Sequence, residues 1–92
     1  MTRTITLQPR NKETIYVFGN VGEVVLIADV FEISENENGE VTSRANLGNI
    51  KIRCRRRTAD IYFDLRIPSL EALKQLNEEI KHWALKLWKE FS

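Results

Sequence analysis

The chain has 92 residues, of which 42% are hydrophobic and 29% charged, and its formal net charge is +1. These values are typical of one small globular domain (residues 1–92) and exclude a disordered chain. There is no run of about 18 apolar residues and no signal-peptide pattern, so we expect a cytoplasmic (intracellular) protein without a membrane span. The single Cys54 excludes an internal disulfide and is consistent with a reducing compartment.

The charges are segregated along the chain. Residues 13–40 carry seven acids and no base, whereas residues 41–67 carry seven bases and two acids. Local fields of opposite sign influence the choice of partner more than the small net charge does.

Four segments of the first half have strand patterns and are bounded by turn residues: 4–7, 13–21, 23–33 and 40–47. Pro9 is expected to end the first of them as a short edge strand. Turns are expected around 19–22, 34–39 and 46–49, which are rich in Gly and Asn.

Residues 50–55 and 59–67 then alternate apolar and polar side chains, which predicts a hairpin with one apolar and one charged face. Cys54 falls on the apolar face. An even-numbered loop, either 57–58 or 56–59, is needed to keep the apolar faces together. The expected register opposes three pairs on the charged face: Arg55 and Asp60, Arg53 and Tyr62, Lys51 and Asp64.

A long helix is predicted at the C-terminus, beginning at the N-cap Ser69. Its apolar stripe recurs every three or four residues and comprises Leu70, Leu73, Leu76, Ile80, Trp83, Leu87 and Phe91. A helix of roughly 22 residues is longer than the strands, so its far end is expected to overhang the sheet. Trp83, Trp88 and Phe91 would lie there, either as a homodimer interface or with Trp83 in the core and Trp88 half-covered. The expected fold is α+β, a meandering antiparallel sheet of four to five strands with the helix on one face.

Catalytic chemistry is scarce. The chain has one histidine, His82, and one cysteine, Cys54, and it lacks metal-ligand, phosphate-loop and nucleophile-elbow motifs. Cys54 is interpreted as a core thiol, and His82 as an exposed helical partner of Glu78. We therefore predict a binding protein that is not an enzyme and has no cofactor or metal.

The basic hairpin indicates a nucleic acid or a nucleoprotein complex as partner. Basic side chains on one face of a strand repeat about every 6.6–6.8 Å and can follow a phosphate backbone, while the ring of Tyr62 can stack on a nucleobase. Tyr16 or Phe18 would join Tyr62 if their strand turned the same way. The candidate binding residues are Lys51, Arg53, Arg55, Arg56, Arg57, Tyr62 and Arg66. The competing interpretation is that Arg55–Asp60 and Lys51–Asp64 are cross-strand ion pairs.

A resemblance to a known family points the same way. Residues 22–27 (GEVVLI), 38–40 (NGE) and 47–50 (LGNI) resemble the strand–turn pattern of PC4-like single-stranded-DNA-binding domains. The resemblance covers residues 16–50 and implies single-strand binding on an open sheet face and dimerisation through the helix. The additional strand at 59–67 departs from the family pattern.

An alternative is a protein-binding inhibitor or adaptor of the kind that phages and mobile elements encode, such as anti-CRISPR proteins. In that hypothesis the acidic stretch 23–40 engages a basic groove, and the cluster 55–57 contacts acidic groups.

Overall fold

A computed structural model describes residues 2–92 and shows an antiparallel meander with one helix. Its elements are β1 (Thr2–Val17), β2 (Asn20–Glu35), β3 (Val41–Cys54), β4 (Ala59–Leu65), α1 (Leu70–Trp88) and a terminal 3₁₀ turn (Lys89–Phe91). The strands form one sheet in the order β1-β2-β3-β4. The predicted α+β class, with a meandering sheet and a C-terminal helix, is confirmed.

The core lies between the helix and one face of the sheet. It contains Ile5, Leu7, Val24, Leu26, Ala28, Val30, Ile50, Ile52, Cys54, Ala72, Leu76, Ile80 and Leu87. The alternation of buried positions along β2 and β3 follows the two-residue period of a strand with one covered face. The helix packs mainly against β1, less against β2 and β3, and very little against β4. The other face of the sheet is left open.

The expected break at Pro9 is wrong, because β1 runs through it as a sixteen-residue edge strand. The N–H of Ile5 points away from β2, towards Gln75. Pro9 lies an even number of residues further on, so the donor that it lacks would also point away from β2. The pairing shifts register between Pro9 and Asn11, which absorbs the remaining distortion as a bulge.

Gln75 of the helix protects the free edge of β1. Its Oε1 accepts the N–H of Ile5 at 2.8 Å, and its Nε2 donates to the carbonyl oxygen of Arg3 at 3.1 Å. One side-chain amide thus imitates a neighbouring strand and satisfies two edge groups that would otherwise pair with another chain.

The expected turn at 46–49 is also wrong, since β3 is continuous from Val41 to Cys54. The pairing passes from Gly48 opposite Val30 to Asn46 opposite Phe31, so Leu47 is the extra residue of a bulge. The φ of Gly48 is +132°, and its N–H is bonded by the side-chain oxygen of Asn46 at 2.7 Å. The turn-forming residues therefore bend a strand here and do not end it.

The register of the β3–β4 hairpin differs from the expected one by two residues. Cys54 opposes Ala59, Arg53 opposes Asp60, and Lys51 opposes Tyr62. The loop is even-numbered, as predicted, but it consists of residues 55–58, closed by the N–H of Arg55 bonding the oxygen of Thr58 at 2.8 Å. Each face keeps its polarity, and this register leaves Arg55 free to contact Glu23 instead of Asp60.

The helix begins where the sequence predicts. Ser69 accepts the N–H of Ala72 at 3.1 Å through its hydroxyl, which is an N-cap bond. The expected exposed overhang is wrong, because Trp83, Trp88 and Phe91 are half-buried against the core. The indole N–H of Trp88 donates to the carbonyl oxygen of Arg55 at 2.9 Å, which ties the helix end to the β3–β4 loop.

Candidate binding surfaces

The open sheet face is built from rows of side chains that oppose one another across the strands. The central row contains Asn11, Ile27, Lys51 and Tyr62, on β1 to β4 in turn. The next row towards the β1–β2 hairpin contains Glu13, Val25, Arg53 and Asp60, and the row on the opposite side contains Gln8, Asp29, Asn49 and Asp64. This face is mixed in charge, with an apolar centre on β2.

Two of the predicted binding arginines are engaged within the molecule. The Nε of Arg55 donates to Oε1 of Glu23 at 3.2 Å. The Nε of Arg53 lies 3.3 Å from the same oxygen, but it is buried and its geometry gives no hydrogen bond. One carboxylate is thus shared by two guanidinium groups, which join β2 to the end of β3. Arg53 and Arg55 therefore have a structural role within the sheet, in addition to any contact with a partner.

Two cation–aromatic pairs lie on the open face. The Nζ of Lys51 is 5.7 Å from the ring centre of Tyr62, whose residue surface is 50% exposed. The guanidinium of Arg44 lies 4.0 Å over the ring of Phe31 and also hydrogen-bonds Gln8. Both distances are within the range of cation–π attraction. In residues 2–92, neither Lys51 nor Arg44 has a salt bridge.

The remaining basic residues of the predicted binding site are exposed. Arg56 and Arg57 lie in the β3–β4 loop, and Arg66 follows the last residue of β4. None of the three forms an ion pair with another described residue. They add free positive charge at the two ends of β4.

A second surface is the tip of the β1–β2 hairpin, which projects past the end of β3. Phe18 and Gly19 form its turn with φ values of +52° and +79°, the signs that a type I′ turn requires. Phe18 is 99% exposed, and Ile15, Tyr16 and Val17 before it are also exposed. No other described part of the chain covers this apolar tip.

The tip does not extend the basic face. Tyr16 opposes Val21, which packs against the core, so Tyr16 lies on the helix side of the sheet. Asn20 at the start of β2 is seven residues from Ile27, the neighbour of the Lys51–Tyr62 row, or about 23 Å along the strand. Their strand therefore does not turn the same way as that of Tyr62, and Tyr16 and Phe18 do not join Tyr62 on the open face.

The isolated cysteine and histidine do not form a reactive pair. Burial raises the pKa of the Cys54 thiol above its ordinary value of 9.0, so at neutral pH it is protonated. His82 is exposed and meets the ring of Trp83 edge-on, with centroids 6.1 Å apart. The expected pair with Glu78 is not among the ion pairs of residues 2–92.

Within those same residues, no three His, Cys, Asp or Glu side chains are grouped so that they could hold a metal ion. In the described residues, no helix is both long enough and apolar enough to cross a membrane.

No protein-family model, curated protein or solved structure matches this chain. The resemblance to PC4-like domains and the anti-CRISPR-type alternative therefore stay predictions.

Sequence reasoning missed Phe31 and Arg44. Phe31 lies in a run that is apolar on both faces of β2, so alternation could not assign its side. Arg44 comes before the bulge at Leu47, and an extra residue reverses the inside–outside alternation that a straight strand would give. The available signal for the hairpin tip was an aromatic residue directly before Gly19 in a turn, where Asn is the usual residue.

Proposed function

We propose that this protein binds single-stranded nucleic acid, alone or within a nucleoprotein complex, on the open sheet face. The observation that carries the proposal is the pair of cation–aromatic contacts, Lys51 with Tyr62 and Arg44 with Phe31, on the face opposite the helix. Aromatic rings and arginine planes are the platforms on which single-stranded bases stack, and stacking tolerates any base.

The spacing of the two pairs suits one strand of nucleic acid. Phe31 is four residues beyond Ile27 on β2, and Tyr62 is two strands across from Ile27. Ideal strand geometry then places the two platforms about 16 Å apart. A single strand crossing the sheet diagonally would contact both, and one base would lie on the Tyr62 ring and another on the outer face of the Arg44 guanidinium.

The charges define how such a strand would be held. Lys51, Arg44, Arg56 and Arg57 are free to contact phosphates, whereas Arg53 and Arg55 already share Glu23. Asp60 and Asp64 flank Tyr62 on β4 and would repel phosphates placed beside them. Stacking is therefore expected to contribute more to affinity than charge does.

The test is fluorescence polarisation with labelled oligo(dT) and oligo(U) at several salt concentrations. Tyr62→Ala is expected to weaken binding by about 5- to 150-fold, the effect of losing 1–3 kcal/mol of stacking. Tyr62→Phe keeps the ring and should bind like the wild type. Lys51→Gln should lower the slope of log affinity against log salt by about 0.7, the value for one phosphate contact on a single strand.

Lys74→Gln is the matched control, because it removes the same charge from the exposed side of the helix. It should leave affinity and salt slope unchanged. The proposal is wrong if the wild type binds neither oligonucleotide at low salt, or if Lys74→Gln weakens binding as much as Lys51→Gln.

A second candidate function is protein binding through the hairpin tip, and Phe18 specifically favours it. A phenylalanine that is 99% exposed in a positive-φ turn position gains no contact inside the molecule and carries backbone strain. Residues that lower stability without internal benefit are typical of functional surfaces. Residues 13–40 contain no base, so the tip fits an apolar protein pocket with a basic rim better than it fits phosphates.

Phe18→Asn separates the backbone strain at this turn from the binding of a partner by the phenyl ring. Asparagine tolerates the left-handed conformation, so this variant should gain about 1 kcal/mol of unfolding free energy, measured by urea denaturation. In a pull-down from cells that encode the protein, a partner held through the tip should be retained by Tyr62→Ala and lost by Phe18→Asn. Equal retention by wild type and Phe18→Asn would rule out the tip as the contact.

A further inference from the structure

The two edges of the sheet differ in how they are protected. The edge strand β1 carries Pro9 and is covered by Gln75 of the helix, as described above. The other edge, β4, has neither protection: the helix packs very little against it, and it contains no proline. An uncovered edge strand presents free N–H and C=O groups to any strand that can pair with it.

Two apolar side chains on the helix side of this edge are exposed, although the face to which they belong is covered elsewhere. Phe63 opposes the buried Ile50, yet it is 54% exposed, and Ile67 beyond the strand is 40% exposed. Together with Ile61 and Leu65, which are partly buried against the core, they form an apolar row beside an open strand edge. This combination of free backbone groups and uncovered apolar side chains is that of a strand that pairs with a partner.

Backbone parity restricts how a partner strand can bind. The N–H of Arg66 and the carbonyl of Thr58 point towards β3, because they bond Leu47 and Arg55 respectively. Even-numbered residues of β4 therefore face β3, and the odd-numbered ones, from Ala59 to Leu65, present their backbone groups outwards.

We infer that β4 pairs antiparallel with β4 of a second copy of this chain, centred on Phe63. In this register Phe63 opposes Phe63 of the second copy, and Ile61 opposes Leu65. On the open face Asp60 opposes Arg66, and Tyr62 opposes Asp64. On the helix side, apolar residues meet apolar residues, and on the open face each of the two Asp60 carboxylates meets an arginine.

The neighbouring registers are less favourable. A register centred on Tyr62 opposes Asp60 with Asp64, and one centred on Asp64 opposes the two Asp64 carboxylates with each other. Like charges directly opposite one another on adjacent strands are destabilising. Charge complementarity thus favours the Phe63-centred register over these two neighbours, and it forms about six backbone hydrogen bonds between residues 61 and 65 of the two copies.

The pairing would produce a continuous eight-stranded sheet. Its two Tyr62 residues would be diagonal neighbours across the two-fold axis, roughly 7–8 Å apart. Two open faces would then form one surface. The inference does not depend on nucleic-acid binding, because it stands on the edge, the apolar row and the charge pattern alone. It also differs from dimerisation through Trp83, Trp88 and Phe91, which pack against their own core.

A charge swap tests the register by sedimentation equilibrium over a range of protein concentrations. Asp60→Arg alone and Arg66→Asp alone each place two like-charge pairs across the axis, and each should raise the dimer dissociation constant about tenfold or more. The double variant Asp60→Arg/Arg66→Asp restores both pairs and should dimerise like the wild type. Lys74→Asp makes the same change in charge on the exposed helix side and should have no effect.

A second variant checks the axis itself. Opposed residues of a hydrogen-bonded antiparallel pair have Cα atoms about 5.5 Å apart, a separation that a disulfide spans. Phe63→Cys should therefore form a disulfide-linked dimer on mild oxidation, while the buried Cys54 stays reduced. A monomeric wild type at all concentrations, or single swaps that dimerise as well as the double variant, would overturn the inference.

Discussion

Replacing Gly48 with alanine is expected to lower the unfolding free energy by about 3 kcal/mol or more, which is at least about a fifth of the stability typical of a chain of this size. Gly48 combines a φ of +132° with close backbone approach from β4. An added Cβ would overlap the carbonyl oxygen of Asp64 and lie 2.6 Å from the Cα of Leu65. Neither atom belongs to a flexible side chain, so the β3–β4 pairing itself would have to move.

Gly39→Ala provides the control for this prediction. Gly39 also has a positive φ, +78°, but a Cβ there would have no neighbour within 4 Å. Gly39→Ala should therefore lower the unfolding free energy only by the conformational penalty of a positive φ, about 1–2 kcal/mol. Urea denaturation of both variants separates the contribution of φ from that of the clash. Equal losses in the two variants would show that β4 does not approach Gly48 as closely as described.

The second large effect is expected from Leu76→Ala on the helix. Leu76 is 2% exposed and lies in the core cluster between helix and sheet. Its truncation removes apolar contacts and leaves a cavity, which should cost about 3 kcal/mol. For a domain of this size the melting temperature should fall by more than about 10 °C.

Leu85→Ala is the matched change on the same helix. Leu85 is 51% exposed, so this substitution should alter the unfolding free energy by about 0.5 kcal/mol or less. The difference between the two variants measures burial alone, because residue type, substitution and helix are the same. If Leu85→Ala were the more damaging change, the helix would present a different face to the sheet.

The α+β class and the helix could be predicted from the sequence because they depend on local patterns. The two-residue alternation of 50–54 and 59–65 assigned the correct face to each side chain of the hairpin. Ser69 marked the start of the helix, because a hydroxyl that caps free N–H groups is a short-range feature. The burial of Cys54 followed from the same alternation.

The lengths of the strands and their register depended on contacts that no local pattern records. Pro9 and Gly48 were expected to end strands, but each lies where its neighbours tolerate or require a bulge. Arg55 pairs with Glu23, 32 residues away in the chain, and so it was not available to Asp60. Alternation specifies the face of a strand but not a slide by two residues, because such a slide preserves the face of every side chain.

The same distinction between local patterns and long-range contacts applies to the candidate binding surfaces. The sequence alone determined the α+β class and placed Lys51 and Tyr62 on the polar face of a hairpin. Only the tertiary structure decided that Arg53 and Arg55 share Glu23, that Arg44 lies over Phe31, and that β4 is the unprotected edge. Local periodicity sets which side of an element is apolar. Long-range packing sets which polar groups find partners inside the molecule and which are left for another molecule to bind.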